Sequence, residues 1–308
     1  MKSTKTILIL GAGGLLGNTI HHNLKKSYDI VGLSHNKNKD KKILKSNYHT
    51  FSEKENSYFR KADVIINCIG ENSNEDKMKK INIDILRKVA LKINTFKKKK
   101  KFIHISTCGV YGNLSDQLID EKTIPKPTTK YSVTKFKGEL ILKKYLENYT
   151  QLIILRPSQV MGKNMKNTSL KKLFYFIKKK LFFFVNNKNS VFSYIFSDDL
   201  ISVIIKLIKS KNIENKIFNI SNEITYKELV KIIQRTLNQN FYFPSVSPFI
   251  IKSIIYILDR FQIKKIPINN KTLNSLMAKT TFKSNKIKKD LKIKKFTNIN
   301  IKNLKTLI

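Results

Sequence analysis

The sequence predicts an α/β fold of the Rossmann type, a doubly wound parallel sheet with a smaller C-terminal substrate lobe. Short apolar runs alternate with helical segments up to about residue 157, which is the pattern of a parallel sheet covered by helices. These runs are apolar on both faces, as buried parallel strands are. The first run ends in a glycine-rich turn that leads directly into a helix, as at the start of a dinucleotide-binding unit.

Hydrophobic periodicity and turn residues define the individual elements. Residues 36–45 are polar and are expected to form a loop or a weak helix. We expect residues 1–157 to form the dinucleotide-binding domain, with return segments near 191–220, and residues 158–308 to form most of the substrate lobe. The predicted strands are 6–10, 29–33, 64–69, 102–106, 152–155, 191–196 and 216–220, and the predicted helices are 14–26, 81–96, one containing Tyr131, 168–186, 224–238 and 247–261.

Composition limits the class of protein. A chain of 308 residues that is 41% hydrophobic can bury a large core. The sequence has no apolar run of 18 residues, so no transmembrane helix is predicted. The N-terminal residues continue directly into the first predicted strand, which is not the pattern of a signal peptide. Cys68 and Cys108 lie far apart in apolar contexts, which indicates reduced, buried thiols in a cytoplasmic protein. No metal site is predicted, because the His and Cys residues are few and scattered.

The net charge of +40 suggests a nucleic acid or an anionic membrane as a partner. The alternative is compositional, because Lys, Ile and Asn are abundant throughout while Ala, Gly and Pro are scarce, as AT-rich codons would produce. The lysines are spread over predicted solvent faces, so we favour the compositional interpretation and do not expect a nucleic-acid partner. The lysine- and phenylalanine-rich segment 170–187 has two interpretations, a core helix and strand of the substrate lobe or a peripheral contact with an anionic membrane.

The glycine turn predicts a phosphate site. Gly11 permits the tight turn, Gly14 lets the backbone approach a phosphate, and Gly17 lets the helix pack against the strand. The helix begins around Leu15, and its N-terminus would face a pyrophosphate. We therefore expect these four residues to bind a dinucleotide cofactor.

The cofactor is NAD or NADP, and the end of the second strand slightly favours NADP. An acid at this point would bind the ribose hydroxyls of NAD, but the chain has Ser34 there, with Lys37 and Lys39 beyond it. Ser34 and a nearby lysine could hold a 2′-phosphate. Asp63, just before the third strand, is expected to contact the adenine.

Tyr131 and Lys135 are four residues apart and predict an acid–base pair on one face of a helix. A phenol is a poor base at neutral pH, and we expect the Lys135 ammonium to lower the pKa of Tyr131. A hydroxyl at the end of the fourth strand would bind the reacting oxygen. Thr107 is placed for this, with Ser106 as the alternative, because strand alternation allows only one to point at the substrate.

With these motifs the chain resembles the extended short-chain dehydrogenase/reductase superfamily, in its nucleotide-sugar epimerase/dehydratase branch. The resemblance covers most of the chain. It rests on the glycine turn, Ile105-Ser106-Thr107-Cys108-Gly109-Val110-Tyr111-Gly112, Tyr131 to Lys135, Leu155-Arg156-Pro157-Ser158-Gln159-Val160-Met161-Gly162, Phe196 to Leu200 and Thr281 to Lys286.

The resemblance implies roles for individual residues. It makes Thr107, Tyr131 and Lys135 the catalytic triad, and Asn82 and Pro157 neighbours of the cofactor. Cys68, Ile69 and Gly70 would line the cofactor. A homodimer formed through two helices of each subunit is usual in this family.

Departures from the family pattern bear on the reaction and the substrate. The sugar 4,6-dehydratases of the family carry Asp-Glu after the catalytic Thr, but this chain has Cys108 and Gly109, so we disfavour dehydration. The family arginine that pairs with a nucleotide diphosphate is absent, so either Lys163 or Lys166 holds the diphosphate or the substrate is not a nucleotide sugar. Gln159 stands where the family often has a substrate-binding Asn.

The sequence therefore predicts an NAD(P)-dependent epimerase or ketoreductase acting on a nucleotide-linked sugar in surface-polysaccharide synthesis. The pathway is implied by the resemblance alone. One alternative is a dehydrogenase of a lipid-like alcohol at a membrane surface. The other is a non-catalytic protein that binds RNA through its basic face.

Overall fold

The computed structural model describes residues 3–112, 117–146, 150–185, 190–211, 213, 216–260, 273, 276, 277 and 279–307. Residues 186 and 261, at the ends of two predicted helices, lie outside these ranges. The strands are β1 (Ser3–Leu10), β2 (Tyr28–Ser34), β3 (Ile43–Lys45), β4 (Val64–Asn67), β5 (Lys100–Ile105), β6 (Leu118–Ile119), β7 (Thr150–Pro157), β8 (Gln159–Met161), β9 (Phe184–Val185), β10 (Val191–Phe196), β11 (Lys216–Ile220), β12 (Asn222–Thr225), β13 (Ser245–Val246) and β14 (Thr281–Phe282). The helices are α1 (Leu15–Leu24), α2 (Glu53–Lys61), α3 (Glu75–Lys79), α4 (Ile85–Asn94), α5 (Lys130–Leu146), α6 (Thr168–Lys178), α7 (Ser197–Lys209), α8 (Tyr226–Thr236), α9 (Pro248–Arg260), α10 (Asn285–Asp290) and α11 (Ile301–Lys305).

A seven-stranded parallel sheet forms the larger lobe and confirms the predicted fold class. Its spatial order is β3, β2, β1, β4, β5, β7 and β11, so the chain starts near the centre and winds outward in both directions. Leu10 pairs with Asn67, and Ile105 pairs with Leu155. The ends of these strands therefore share one edge of the sheet, which is where doubly wound folds bind their ligands.

Buried apolar side chains cover both faces of this sheet. On one face, Ile20 of α1 and Ile204 of α7 pack against the strands. On the other face, Phe59 of α2, Val89 of α4 and Leu142 of α5 do the same. The result is a three-layer arrangement that fixes the loops at the carboxyl edge.

The smaller lobe has its own sheet and core. β10 lies between β8 and β12, and an aromatic cluster that includes Phe192 and Tyr194 packs against α6 and α8. Strand 191–196 therefore belongs to this sheet, whereas α7 and β11 return to the larger one. Across the described ranges, every helix falls short of the length and apolarity that a membrane crossing requires.

Several elements differ from the sequence prediction. In the smaller lobe, the helix predicted over 168–186 ends at Lys178, and Phe184–Val185 forms strand β9. Three further differences lie in the larger lobe. Residues 43–45 form an edge strand of the large sheet instead of a loop or helix. Helix α2 was not predicted, and it begins with a capping box in which Ser52 and Glu55 bind each other's backbone N–H groups. The helix predicted over 81–96 begins earlier, at Glu75, and passes through a π-helical turn at Lys80–Asp84.

Candidate active site at the carboxyl edge of the sheet

The glycine turn is held tightly against the next strand. Gly11 has a φ of +76°, and a Cβ at this position would lie 2.8 Å from the carbonyl carbon of Cys68. A Cβ on Gly17 would lie 2.2 Å from the Gly11 oxygen. By contrast, a Cβ on Gly14 would meet only the Gly11 oxygen, at 3.4 Å. Backbone space is therefore open beside Gly14 at the start of α1, as the approach of a phosphate requires.

Tyr48 supports this turn, a role that the sequence reasoning missed. Its buried hydroxyl accepts a hydrogen bond from the Gly11 N–H at 2.9 Å. Burial raises the pKa of Tyr48, so its hydroxyl stays neutral. The sequence held no local signal for this contact, because Tyr48 lies 37 residues beyond Gly11.

Ser34 lies beside the glycine turn, at the end of β2. It is buried, and its hydroxyl occupies the space of a Cβ on Gly13, 2.0 Å from the ideal position. Lys37 and Lys39 follow it and are exposed. Ser34 thus lies at the glycine turn, as the prediction of a 2′-phosphate site requires, and the role of the two lysines stays a prediction.

The expected contact between Asp63 and the adenine is wrong. Asp63 precedes β4, and its backbone N–H donates to the Thr6 oxygen, near the start of β1. Its carboxylate accepts from the Thr6 N–H at 3.0 Å and pairs with Lys98 at 3.2 Å. Asp63 therefore lies at the amino edge of the sheet, opposite the glycine turn, and ties two strands together.

The segment after β4 lies beside the acid–base pair. A Cβ on Gly70 would be 3.8 Å from both the Lys135 Nζ and the Asn82 Oδ1. Asn82, in the π-helical turn, accepts from the Glu71 N–H and donates to the Glu71 oxygen and to Thr134. It thus joins the loop that contains Cys68 and Ile69 to helix α5.

Lys135 is buried, and its ammonium donates to the Ile105 oxygen at 2.7 Å. Burial lowers the pKa of Lys135 to about 8, against the opposing effect of the Glu139 carboxylate. Burial raises the pKa of Tyr131 to about 12. The expected lowering of the Tyr131 pKa by Lys135 is therefore not seen, since the ammonium is hydrogen-bonded to a strand carbonyl and burial dominates.

The two hydroxyl candidates after β5 are in different environments. Ser106 is buried, and its hydroxyl donates to the Glu139 carboxylate, away from the carboxyl edge. Thr107 is half-buried and caps the 3₁₀ turn Cys108–Tyr111, accepting from the Gly109 N–H at 3.0 Å. A Cβ on Gly109 would lie near both Thr107 and Ser132 of α5. Thr107 is therefore the hydroxyl that lies beside the start of the Tyr131 helix.

A buried ionic network lies behind this group and was not predicted. Arg156 pairs with Glu139 through two hydrogen bonds, of 2.6 and 3.1 Å. It also donates to the Tyr111 hydroxyl, which donates to Asn219. Burial alone would lower the pKa of Arg156, but Glu139 raises it, so Arg156 stays charged. The sequence signal for it was a glutamate one helical turn beyond Lys135, on the inward face of α5.

Pro157, a predicted neighbour of the cofactor, ends β7 and pairs with Ile220 at the end of the large sheet. The proposed substrate residues follow it, and Gln159 pairs with Tyr194 in the small sheet. Lys163 is exposed beyond β8. An open cavity of about 400 Å³ is lined by residues that follow Lys163 in the sequence, namely Lys166, Thr168, Lys171, Lys172, Tyr175 and Phe176.

The described residues contain no cluster of His, Cys, Asp and Glu that could hold a metal ion. The glycine cradle does fit a dinucleotide, because the backbone at Gly14 is accessible, and Ser34 and Gly70 line the same edge. Gly11, Gly14, Leu15, Gly17 and Ser34 would hold the adenosine and pyrophosphate portion. Ile69, Gly70, Asn82, Tyr131, Lys135 and Pro157 would surround the nicotinamide portion.

Comparison with known proteins gives a family match over most of the chain. The model of the NAD dependent epimerase/dehydratase family matches residues 7–221. A GDP-6-deoxy-D-talose 4-dehydrogenase of Aggregatibacter actinomycetemcomitans is 35% identical over 123 residues, which are 39% of this chain and 41% of that protein. The bifunctional polymyxin resistance protein ArnA of Wigglesworthia glossinidia brevipalpis is 27% identical over 288 residues, covering 80% of this chain and 44% of that protein.

The chain thus spans less than half the length of these two curated relatives. Among solved structures, the UDP-glucuronic acid 4-epimerase of Bacillus cereus in complex with NAD superposes with a TM-score of 0.73. The identity is 19%, and the match covers 98% of this chain and 96% of that one. At this identity the likeness supports the fold.

Proposed function

The chain belongs to the NAD-dependent epimerase/dehydratase family, and we propose that it is an NAD(P)-dependent epimerase or ketoreductase of a nucleotide-linked sugar. The observation that carries the proposal is the geometry at the carboxyl edge. The glycine cradle lies against Cys68 and Ile69, Gly70 of the same loop lies beside Lys135, and Gly109 lies beside both Thr107 and Ser132 of the Tyr131 helix. The relatives named as acting on GDP- and UDP-linked sugars support the substrate class.

Proton transfer is assigned to Tyr131. Its raised pKa, of about 12, keeps the phenol protonated at neutral pH, so it is ready to donate to an alkoxide that forms on the substrate. In the reverse direction the phenolate of Tyr131 accepts the hydroxyl proton and becomes the phenol, and the Lys135 cation would stabilise that phenolate. Thr107 would hold the same oxygen by a hydrogen bond, and bound NAD(P) would accept or supply the hydride.

Dehydration is disfavoured by the environment of Cys108. Its thiol donates to the Arg156 oxygen, and burial raises its pKa. The thiol therefore cannot remove or deliver a proton at the substrate, and Gly109 has no side chain for this role. Elimination of water needs an acid and a base here, so the proposed chemistry is limited to hydride and proton transfer.

Charged side chains would bind the phosphate groups of the cofactor and of the substrate. No carboxylate stands where one would bind a free ribose, and Ser34, Lys37 and Lys39 would suit a 2′-phosphate, which favours NADP over NAD. On the substrate side, the lysines that line the cavity near α6, together with Lys163, would hold a diphosphate. Gln159 would contact the sugar.

Family membership favours this function over the two alternatives. The relatives named above act on nucleotide-linked sugars and not on lipid-like alcohols, and a non-catalytic RNA-binding protein would not need the Tyr131–Lys135 arrangement. A homodimer through α4 and α5 belongs to the proposal. Exposed Leu91 and Leu140 on these two helices would support it.

The test is turnover of UDP-, GDP- and dTDP-linked hexoses and their 4-keto forms, with products identified by NMR. Tyr131→Phe should lower the turnover number by about 10²–10⁴-fold, the usual share of general acid–base catalysis, while cofactor affinity stays nearly unchanged. Tyr145→Phe makes the same change at the far end of α5 and should leave turnover intact. Undiminished activity in Tyr131→Phe would remove it as the acid–base group. An inactive wild type that still binds NAD(P) would refute the substrate class.

A further inference from the structure

The smaller lobe exposes an unusual number of large apolar side chains around α9. We call this region the α9 surface and define it by the exposed face of α9, by Leu181 and Phe241, and by Lys178, Lys179 and Lys180. Its apolar side chains are exposed by between 40% and 77%. They are Leu181, Phe241, Phe249, Ile250, Ile254, Tyr256 and Ile257.

Direct contacts make these segments one surface. The Lys180 ammonium lies 5.4 Å from the centre of the Phe241 ring. Gln239 donates to the Lys178 oxygen, and Phe184 donates to the Pro244 oxygen. β9 then pairs with β13 immediately before α9 begins. The basic turn after α6, the segment at Phe241 and α9 are therefore neighbours.

Helix α9 is apolar on two faces, but only one is covered. Ile251 and Ile255, one turn apart, are buried against Val185 and Leu273. Phe249, at 77% exposed, and Ile257, at 51%, lie on the uncovered side. A helix of a water-facing surface normally carries polar residues on that side, so this face is built for contact with something apolar.

Apart from Asp259 at the end of α9, the charged residues of the α9 surface are basic. No Asp or Glu occurs between residues 148 and 197 or between 229 and 258, the stretches that contain the α9 surface up to Leu258. Lys178, Lys179 and Lys180 are exposed beside Leu181, and Lys252 is exposed on α9 itself. The occupant must therefore offer an apolar interior and a negative boundary.

We propose that the α9 surface docks this protein on an anionic lipid bilayer, with α9 lying in the interface. Aliphatic and aromatic side chains would enter the boundary between headgroups and acyl chains, and the lysines would meet the lipid phosphates. This mode needs no spanning helix. It concerns where the protein works, and it stands whether or not the proposed sugar substrate is right.

Two other occupants fit less well. A second copy of this face would set two strongly basic surfaces against each other, which is electrostatically unfavourable. Single-stranded RNA binds through bases that stack on aromatic rings, whereas Leu181, Ile250, Ile254 and Ile257 offer no ring. Aliphatic side chains flanked by lysines match a lipid interface instead.

The test is co-sedimentation of the full chain with vesicles of phosphatidylglycerol and phosphatidylcholine in equal parts, compared with phosphatidylcholine alone. We expect binding to the anionic vesicles that is at least about tenfold tighter than to the neutral ones, because each lysine near such a surface contributes favourably. High salt should weaken it. Equal binding to both vesicles, or no binding to either, would overturn the proposal.

Matched variants separate the α9 surface from the general charge. Lys178→Gln, Lys179→Gln and Lys180→Gln together should lower anionic-vesicle affinity about tenfold or more, whereas the same triple change at Lys26, Lys54 and Lys61 of the larger lobe should have a much smaller effect. An equal loss in both triples would refute a dedicated surface.

The apolar contribution has its own pair of variants. Phe249→Ser with Ile257→Ser should weaken vesicle binding, while Leu118→Ser with Ile124→Ser, also at exposed apolar positions, should not. Thermal unfolding of each variant checks that it is folded, and the two lysine triples at exposed positions still test the proposal if a serine variant is not. Loss of RNA binding in the lysine triple, with no vesicle binding by the wild type, would assign the surface to RNA.

Discussion

Removing Arg156 should expose how strongly the network behind the active site holds the fold. Arg156→Met keeps most of the side-chain volume but leaves the Glu139 carboxylate without its cation. Both side chains are at most 2% exposed, so the orphaned charge cannot be reached by water. Breaking a buried ion pair in this way costs about 3–5 kcal/mol of unfolding free energy.

That cost converts into a measurable shift in melting temperature. At about 2.1 cal/mol/K per residue, a chain of 308 residues has an unfolding entropy of about 0.65 kcal/mol/K. Arg156→Met should therefore lower Tm by about 5–8 °C, as measured by differential scanning calorimetry. The Tyr111 hydroxyl keeps its bond to Asn219, so the orphaned Glu139 charge should account for most of this loss.

The double variant Glu139→Gln with Arg156→Met provides the control. It leaves neither charge of the pair buried, and the amide that replaces the Glu139 carboxylate still offers an oxygen to the Ser106 hydroxyl. Most of the lost stability should return in the double variant, because removing both charges of a buried pair is often nearly neutral. If the double variant melted as low as Arg156→Met, the loss would come from packing and the electrostatic reasoning would be refuted.

Two further predictions concern the two edges of the sheet. Gly17→Ala should lower Tm even though alanine favours helices, because its Cβ would lie 2.2 Å from the Gly11 oxygen. Gly14→Ala should leave Tm nearly unchanged but weaken NAD(P) binding in calorimetric titration. A lower Tm for Gly14→Ala with unchanged NAD(P) binding would contradict the assignment of open backbone space beside Gly14. Asp63→Asn should leave cofactor affinity unchanged, because Asp63 lies at the opposite edge. Burial would raise the pKa of Asp63, but the hydrogen bond from the Thr6 N–H and the Lys98 ammonium hold this pKa below its ordinary value. The stability that the Asp63 carboxylate adds is therefore present above about pH 4 and is lost as pH falls through the lowered pKa. A Tm difference between wild type and Asp63→Asn that grew on acidification would contradict this.

The large sheet could be predicted because its signals are local. Each buried strand is a short apolar run, and the glycine turn and the Tyr131–Lys135 spacing are read within a few residues. The contact of Gly11 with Tyr48 and the pairing of Glu139 with Arg156 join distant segments, and only the folded topology brings them together. The position of Asp63 was mistaken because a residue before a parallel strand lies at the edge opposite the residues that follow it.

The protonation of Tyr131 also depended on the tertiary structure. The sequence places Lys135 one helical turn away, but it does not show that the ammonium donates to the Ile105 oxygen or that burial dominates the pKa of the phenol. For Cys108 the structure adds a reason to a prediction from the sequence. Cys108 stands where the dehydratases of the family have an acid, so the sequence predicts that it cannot serve in dehydration. The hydrogen bond from its thiol to the Arg156 oxygen supports this prediction.

The measurement that tests the central claim most directly is mass spectrometry of the purified protein under native conditions and after denaturation, with and without added NAD(H) and NADP(H). We predict one dinucleotide per chain. An epimerase, which recycles its cofactor, would retain the dinucleotide until it unfolds, whereas a reductase would bind it reversibly. Gly14→Ala should reduce the bound fraction. A folded protein that binds neither dinucleotide would contradict the account.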